Sequence, residues 1–243
     1  MPFTFSHPAI ILPLNYLPRK WISLTGLVIG SLTPDFEYFL RMKIESNFSH
    51  KFWGIFWFDL PLGILLTFVF HNIVKTELFK NLPKFLNERF VTKEQLNWNK
   101  HFAENWKIII MSIFIGTLSH IFWDSFTHES GFFVKLIPDL SNTIEIFGKE
   151  IKYLKVLQHS STLIGGIVIA YSIFKLPKFV TEKPEIKMKY WICVLLVAIS
   201  IISLKIITGE NSTKIGNLIV SLISATMIGL IITPTILKKK NGS

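Results

Sequence analysis

The sequence has 243 residues, half of them apolar, with 22 Phe and 7 Trp, and it carries a formal net charge of +10. This length allows one large or two small domains, and the apolar content is typical of a membrane protein. The basic residues are spread between apolar windows, which argues against a nucleic-acid surface, and the single Cys193 excludes an internal disulfide or a thiolate metal cage.

The N-terminal segment predicts no membrane crossing. MPFTFSHP has no basic region followed directly by an apolar run, so we expect no cleavable signal peptide. The apolar stretch 21–32 is only about a dozen residues long, and Pro34 follows it. We therefore expect 21–32 to form a buried or half-inserted helix.

Five later windows predict membrane-spanning helices, because a hydrocarbon core about 30 Å thick needs roughly 20 mostly apolar residues. Lys205 is the only charge in the last two. The first two contain His and Asp, which are costly in lipid, so their polar side chains should face the inside of a bundle. The windows are 53–74, 107–128, 160–176, 190–208 and 215–237.

These windows predict an all-α fold, a polytopic helical membrane bundle with five transmembrane helices. Segment 75–106 mixes charged and aromatic residues, which indicates amphipathic helices on the membrane surface. We predict a metal-site helical membrane domain over 1–176 and a C-terminal transmembrane helix pair over 177–243.

Lysine distribution predicts the orientation of the bundle. Five crossings place 1–52, 129–159 and 209–214 on one side, and 75–106, 177–189 and the C-terminal tail on the other. By the positive-inside rule the second side is cytoplasmic and the first faces outward. The lysines that decide this are Lys175, Lys178, Lys183, Lys187, Lys189 and Lys238–Lys240.

The motif HIFWDSFTH places His120, Asp124 and His128 four residues apart at the outward end of the second window. Side chains at i and i+4 share a helix face and can bind one metal ion together. In a regular helix His120 and His128 would start about 12 Å apart, too far for one ion. A carboxylate between them is placed to bridge two ions, which lie about 3.5–4 Å apart in hydrolytic sites. The alternative is an interfacial helix end with Trp123 in an aromatic belt.

The predicted topology brings further metal-binding side chains to the same side. His71 and His101 fall on the opposite side and are excluded. Asp59, inside the first window beside Pro61, is interpreted as a structural or supporting residue. The residues that join the motif as candidate ligands are His7, Asp35, His50 and His159.

Five blocks of this sequence resemble the signature blocks of a family of bacterial integral membrane proteins described as domain of unknown function 4184. The blocks are MPFTFSHPA, GSLTPDFEYFL, SHKFWGIFWFDLPLG, LSHIFWDSFTH and LQHSS, and they cover roughly residues 1–165. This resemblance implies an integral protein of the bacterial inner membrane, with the metal site facing outward by the lysine rule.

More distantly, the chain is similar to membrane-bound metal-dependent hydrolases and to the zinc-dependent phospholipase C and P1 nuclease group. That resemblance implies a helical core around zinc ions and cleavage of phosphate esters. Leu163 stands where the group has a metal-binding Glu, so it implies two zinc ions rather than three, with manganese as an alternative. In chain order the matching ligands are His7, Asp35, His50, His120, Asp124, His128 and His159.

The function predicted from the residues and the resemblance together is hydrolysis of a phosphoester by a membrane-embedded metal-dependent enzyme. Asp124 and Asp35 are the predicted catalytic residues, and the expected partners are membrane lipids and a phospholipid or lipid-linked phosphate substrate. One alternative is a transporter of metal ions or protons, because ionisable residues inside crossings often mark a pathway. Another is an inactive scaffold that a metal stabilises.

Overall fold

The computed structural model describes residues 3–18, 20–91, 96–179, 187–208 and 214–240. Lys183 and the side chains of Lys238–Lys240, which contribute to the predicted orientation, lie outside this description. Helices form almost all of its regular structure. The α-helices are α1 Pro8–Ile11, α2 Leu24–Gly30, α3 Phe36–Arg41, α4 Phe52–Gly54, α5 Leu60–Val69, α6 Lys75–Lys80, α7 Lys84–Phe90, α8 Trp98–Asp124, α9 Phe132–Leu136, α10 Tyr153–Lys175, α11 Met188–Ile207 and α12 Ile215–Lys240. Short 3-10 helices cover Thr4–Ser6, Leu12–Tyr16, Thr33–Asp35 and Pro138–Ser141, and π-helical segments cover Ile55–Asp59 and Phe70–Val74.

Within the described ranges, five helices are long and apolar enough to cross a membrane, as the hydropathy windows predicted. Five such helices are compatible with an integral membrane protein. The first of them runs without interruption through α4, both π-helical segments, α5 and α6. The helices are Phe52–Lys80, Trp98–Asp124, Tyr153–Lys175, Met188–Ile207 and Ile215–Leu237.

The spanning helices extend beyond the predicted windows. Residues 75–80 continue the first helix and 98–106 begin the second, so only α7 remains as a separate helix in the segment predicted to hold surface helices. Hydropathy marks the apolar part of a helix, whereas backbone hydrogen bonding carries the helix on into polar flanks. The second helix ends at Asp124, four residues before its predicted end.

The stretch 21–32 contains the short helix α2, as expected. The Ser23 hydroxyl accepts a hydrogen bond from the backbone N–H of Gly26 at 3.2 Å and caps its first turn. Leu27, inside α2, is fully buried. This helix has seven residues, too few to cross a membrane.

A small β-hairpin precedes α10 and was not predicted by the all-α fold class. Strand β1, Thr143–Ile146, pairs antiparallel with β2, Lys149–Lys152. Phe147 and Gly148 join the strands, with φ of 51° and 73°. Two consecutive positive φ values are typical of the tight turn that matches the twist of a hairpin.

The described chain forms two compact units that alternate along the sequence. The first comprises Met1–Asp35, Phe48–Ile64 and Asn105–Lys175, and the second comprises Phe36–Asn47, Leu65–Glu104 and Leu176–Ser243. All seven predicted metal ligands belong to the first unit. The predicted division into domains 1–176 and 177–243 stays a prediction.

Buried polar contacts stabilise the second unit. Lys205, the one charge inside the last two predicted windows, donates to the backbone carbonyl of Met42 and, at 2.9 Å, to the Ser221 hydroxyl. The Ser224 hydroxyl donates to the carbonyl of Phe39 at 2.6 Å. These bonds join α11 and α12 to the segment around α3 and satisfy polar groups that would be costly in lipid.

Candidate metal centre

Close packing of α2 on α8 positions the first part of the centre. Gly26 and Gly30 form a G-x-x-x-G pair, the spacing that lets two helix backbones touch. A Cβ atom on Gly30 would collide with the backbone of Ile113, and one on Gly116 with the carbonyl of Leu27. The close approach therefore depends on glycine on both helices.

This packing fixes the orientation of His120. Its Nδ1 lies 2.7 Å from the backbone carbonyl of Ser31, which follows α2. A carbonyl oxygen only accepts, so Nδ1 carries a proton, and it is Nε2 that faces the two carboxylates. Metal-binding histidines are commonly oriented in this way by a hydrogen bond to the other nitrogen.

Asp35 ends the 3-10 helix that follows α2, and its two oxygens have different partners. Oδ2 accepts a hydrogen bond of 2.5 Å from the Thr4 hydroxyl. Oδ1 faces the Nε2 atoms of His50 and His120, both at 3.5 Å. Thr4 therefore holds one oxygen of a fully buried carboxylate, and the other oxygen is left to bind a metal ion.

His7 is positioned by contacts between the N-terminal segment and α10. Thr162 accepts from the backbone N–H of Phe3 through its hydroxyl and from the Ser6 hydroxyl through its carbonyl, both at 3.0 Å. The His7 ring then stacks on His120, with centroids 3.7 Å apart. Its Nε2 lies 3.5 Å from Oδ1 of Asp124.

His50 lies in the segment just before α4. A Cβ atom on Gly54 would collide with the carbonyl of Phe48, so this glycine lets the segment pack against the start of the helix. The Ser49 hydroxyl is 3.1 Å from Nδ1 of His50. That contact leaves Nε2 facing the two aspartates.

Asp124 is the centre of the cluster. Its Oδ2 lies 3.5 Å from Nε2 of His50, 3.5 Å from Nε2 of His120 and 3.3 Å from Nε2 of His128, and its Oδ1 faces His7. One carboxylate therefore contacts four imidazoles, with its two oxygens turned to different partners.

The regular helix α8 ends at Asp124, but one further turn follows it. The backbone N–H groups of Thr127 and His128 both donate to the carbonyl of Asp124 at 3.0 Å. The i, i+4 contacts predicted on each side of Asp124 are therefore both present, and His120 and His128 face the same carboxylate oxygen. The separation of about 12 Å expected between the starts of these two side chains stays a prediction.

Four of these side chains could hold a metal ion: Asp35, His50, His120 and Asp124 offer ligand atoms within 4.8 Å of one another. Imidazole nitrogens and carboxylate oxygens alternate, each 3.5 Å from the next. Zinc bonds of about 2.0–2.2 Å in a tetrahedron separate ligand atoms by about 3.3–3.6 Å, so these four distances fit such an ion.

Hydrogen bonding also fits a cation. Within the described part of the chain, Oδ1 of Asp35, Nε2 of His120 and both oxygens of Asp124 are buried without a hydrogen bond. Both ring nitrogens of the buried His7 also lack a hydrogen bond. Buried polar atoms normally find partners, and a cation held between these atoms would satisfy several of them at once.

Burial and neighbouring charges shift the pKa values of the groups outside the spanning helices. Burial, aided by the adjacent His120, lowers the pKa of His7 to about 3, so this imidazole is neutral. Burial alone would raise the pKa of Asp35, but His120 and His50 bring it below its usual range. Burial alone would lower the pKa of His50, but the carboxylates of Asp124 and Asp35 outweigh burial, so the pKa is raised.

Exposure of the cluster is greatest at two of its histidines. The side chains of His50 and His128 are 19% and 33% exposed, whereas those of His7, Asp35 and His120 are 0% exposed and that of Asp124 is 5% exposed. The Nε2 atoms of His50 and His128, which face the carboxylates, are nevertheless buried.

Six of the seven predicted ligands lie together, and His159 is the exception. It is exposed near the start of α10, and in the described structure it forms no ion pair with the cluster. Its role as a ligand stays a prediction. Asp59 is fully buried at the end of the segment Ile55–Asp59, and its supporting role also stays a prediction.

Sequence reasoning missed the side chains and carbonyl that orient the ligands. Ser49 directly precedes His50, which is a weak local signal. No local sequence signal marks Thr4 or Ser31, because their partners are 31 and 89 residues away along the chain.

One protein family, described as Domain of unknown function (DUF4184), has a model that matches residues 1–235 of the chain. No curated protein matches the chain, and no solved structure matches it. The family match covers every residue of the candidate metal centre.

Proposed function

The chain therefore belongs to the DUF4184 family, and from its candidate metal centre we propose that it is a membrane-embedded, metal-dependent hydrolase of phosphoesters. The observation that carries this proposal is the meeting of four imidazoles and two carboxylates in a buried cluster whose most exposed members are His50 and His128. Catalytic metal sites combine such ligands with a position left free for water or substrate. The proposal includes the resemblance of the metal centre to the helical core of the phospholipase C and P1 nuclease group.

Zinc is the proposed ion because of the donor set. Four imidazoles suit zinc, whereas magnesium and calcium prefer sites made of oxygen ligands. The ligand spacing also agrees with a tetrahedral zinc site, as described above. Manganese is the alternative ion, and measurement of the metal content of the purified protein would distinguish it from zinc.

Two ions are proposed because both oxygens of Asp124 face imidazoles. Oδ2 serves the group of Asp35, His50 and His120, while Oδ1 faces His7. A carboxylate with both oxygens engaged in this way can bridge two ions. With His128 the cluster has six side chains and seven donor atoms, because Asp124 uses both oxygens. Two four-coordinate ions have eight positions, so one position stays free for water or substrate.

The cation supplies two kinds of chemistry when bound: it lowers the pKa of water and it neutralises charge on phosphoryl oxygens. In the overall reaction, a bond forms between the water oxygen and phosphorus, the phosphorus–oxygen ester bond breaks, and the leaving oxygen takes a proton. The chain's own part is positioning. Thr4 holds Asp35 and the Ser31 carbonyl holds His120, so the donors keep their places without rearrangement.

Metal content and phosphodiesterase activity of the detergent-purified protein test the proposal. We expect zinc in the wild type and hydrolysis of bis(p-nitrophenyl) phosphate, and we expect Asp124→Asn to lose both. Asp139→Asn, which changes an exposed aspartate, is the matched control and should retain both.

Three outcomes of this test, and one of a separate transport assay, would overturn the proposal. The absence of metal from the wild type would remove the centre, and so would metal that survives Asp124→Asn. Metal without hydrolysis would favour the inactive scaffold, and uptake of metal ions or protons by proteoliposomes, again without hydrolysis, would favour the transporter.

We propose an outward-facing centre from the lysine distribution. The hairpin of β1 and β2 follows α8 on the same side as Asp124, and Lys178 follows α10 on the other. Phe147→Cys in a Cys193→Ser background should react with a membrane-impermeant maleimide in whole cells, whereas Lys178→Cys should not. The reverse pattern would place the centre on the cytoplasmic side.

A further inference from the structure

An apolar groove with a volume of about 330 Å³ lies beside the metal centre in the same compact unit. This volume is at the lower end of the range of about 300–1,000 Å³ that small-molecule pockets occupy. None of its lining residues is charged. Its walls are formed by α1, the end of α8 with the turn that follows, and α10, through Ile10, Phe122, Trp123, Phe126, Ile164 and Val168.

The groove and the metal centre share a wall. The Trp123 ring meets His7 edge to face, with centroids 5.7 Å apart. Trp123 directly precedes Asp124, and the groove residue Ala9 follows His7 by two positions. Trp123 therefore contacts both the groove and the metal centre.

The groove opens on surfaces of spanning helices. Phe122 belongs to Trp98–Asp124, and Ile164 and Val168 belong to Tyr153–Lys175. Ile164 and Val168 are 59% and 37% exposed, in the apolar part of their helix. At this position the surrounding medium of a membrane protein is lipid, so hydrocarbon chains are the apolar groups within reach.

The walls are already in place. The ring of Phe126 stacks on Phe133, with centroids 4.2 Å apart, and Phe122 packs edge to face against Phe126. On the α10 side, a Cβ atom on Gly165 would come within 2.9 Å of Ser6, so glycine sets the close approach of this helix. Ordered walls reduce the entropic cost of holding a flexible chain.

We propose that the groove holds one acyl chain of a phospholipid from the surrounding bilayer, and so places the phosphoester of that lipid at the metal centre. The catalytic consequence rests on the proposed function, whereas occupation of the groove does not. Hydrolysis would then add water across the lipid phosphoester, with breakage of one phosphorus–oxygen ester bond and transfer of a proton to the leaving oxygen.

The groove should affect where the phospholipid head group is held more than how tightly the phospholipid binds. A lipid chain that enters it leaves an equally apolar bilayer, so the transfer itself gains little free energy. Its effect is to hold the head group at one place beside Asp124. Blocking the groove should therefore lower turnover of phospholipid and leave turnover of a small soluble phosphoester unchanged.

Photo-crosslinking in nanodiscs tests occupation directly. The probe is phosphatidylcholine with a diazirine on one acyl chain, and the labelled residues are mapped by mass spectrometry. Val168→Trp fills the groove, and Ile167→Trp places the same ring on a neighbouring lipid-facing residue outside it. We expect Val168→Trp to reduce labelling at Phe122–Phe126 by about fivefold or more, because the ring excludes the chain, and Ile167→Trp to leave it near the wild-type level.

The outcomes separate the two proposals. Labelling of the groove without hydrolysis by any form of the protein would support the groove and overturn the hydrolase. Hydrolysis of bis(p-nitrophenyl) phosphate with equal groove labelling in both tryptophan variants would overturn the groove. Preferential labelling by a diazirine-bearing polyprenyl phosphate would also overturn it, because the occupant would then be an isoprenoid chain.

Two further variants keep the test decisive. Asp124→Asn should lose metal and keep the labelling, since the groove does not need the ion. Ile164→Phe occupies the same groove with a smaller ring and replaces Val168→Trp if that variant does not accumulate as folded protein. Equal labelling in Ile164→Phe and the wild type would count against the proposal.

Discussion

Thr4→Val removes the hydroxyl that donates to Oδ2 of Asp35 and keeps nearly the same side-chain shape. The hydrogen bond is 2.5 Å long, and both residues are buried. A hydrogen bond to a charged group contributes about 1.5–3 kcal/mol, and about 1.4 kcal/mol corresponds to a factor of ten. We therefore expect zinc to bind Thr4→Val about 10- to 100-fold more weakly, the range observed when a residue that hydrogen-bonds a metal ligand is removed.

The weaker affinity translates into a measurable loss of stabilisation. At a zinc concentration 100 times the wild-type Kd, binding stabilises the wild type by about 2.7 kcal/mol. A Kd raised 10- to 100-fold reduces this at the same concentration to between about 1.4 and 0.4 kcal/mol. Competition with a zinc-chelating dye gives the Kd, and thermal unfolding with and without zinc gives the stabilisation.

Two control variants make this result specific. Thr4→Ser keeps the hydroxyl and should bind zinc nearly as the wild type does. Thr226→Val removes an exposed hydroxyl that bonds only within α12, and it should have no effect. Wild-type affinity in Thr4→Val, or equal losses in Thr4→Ser and Thr4→Val, would refute the role that we assign to this hydrogen bond.

Three further predictions concern packing, ligands and the ion. Gly30→Ala should lower the free energy of unfolding by about 1–3 kcal/mol, because its Cβ meets the α8 backbone, while Gly166→Ala, which meets open space, should not; unfolding midpoints check this. His128→Ala should lower metal content and His159→Ala should not, since only His128 contacts the cluster; equal losses would contradict that placement. Dialysis against EDTA should lower the unfolding midpoint, and zinc should restore it better than magnesium because imidazoles suit zinc; equal recovery would argue for an oxygen-donor site.

Membrane helices and the chemistry of the site could be predicted from the sequence. Hydropathy reports whether a stretch can cross hydrocarbon, so five helices were predictable even though their polar ends were not. The i, i+4 spacing of His120 and Asp124 is a local property of the helix and identified the metal-binding face. The β-hairpin before α10 was missed because each of its strands has only four residues, too few for the apolar alternation to stand out, and most of them are exposed.

Only the tertiary structure decided that the donors converge. The i, i+4 spacing already placed His120 and His128 beside Asp124, but His7, Asp35 and His50 come from distant segments, and no spacing rule predicted their contacts. The sequence determined which side chains can bind a cation. Their meeting depends on Gly30 lying against the backbone of α8 and on Thr4 bonding Asp35. Such contacts join distant parts of the chain, and packing creates them without leaving a periodic pattern in the sequence.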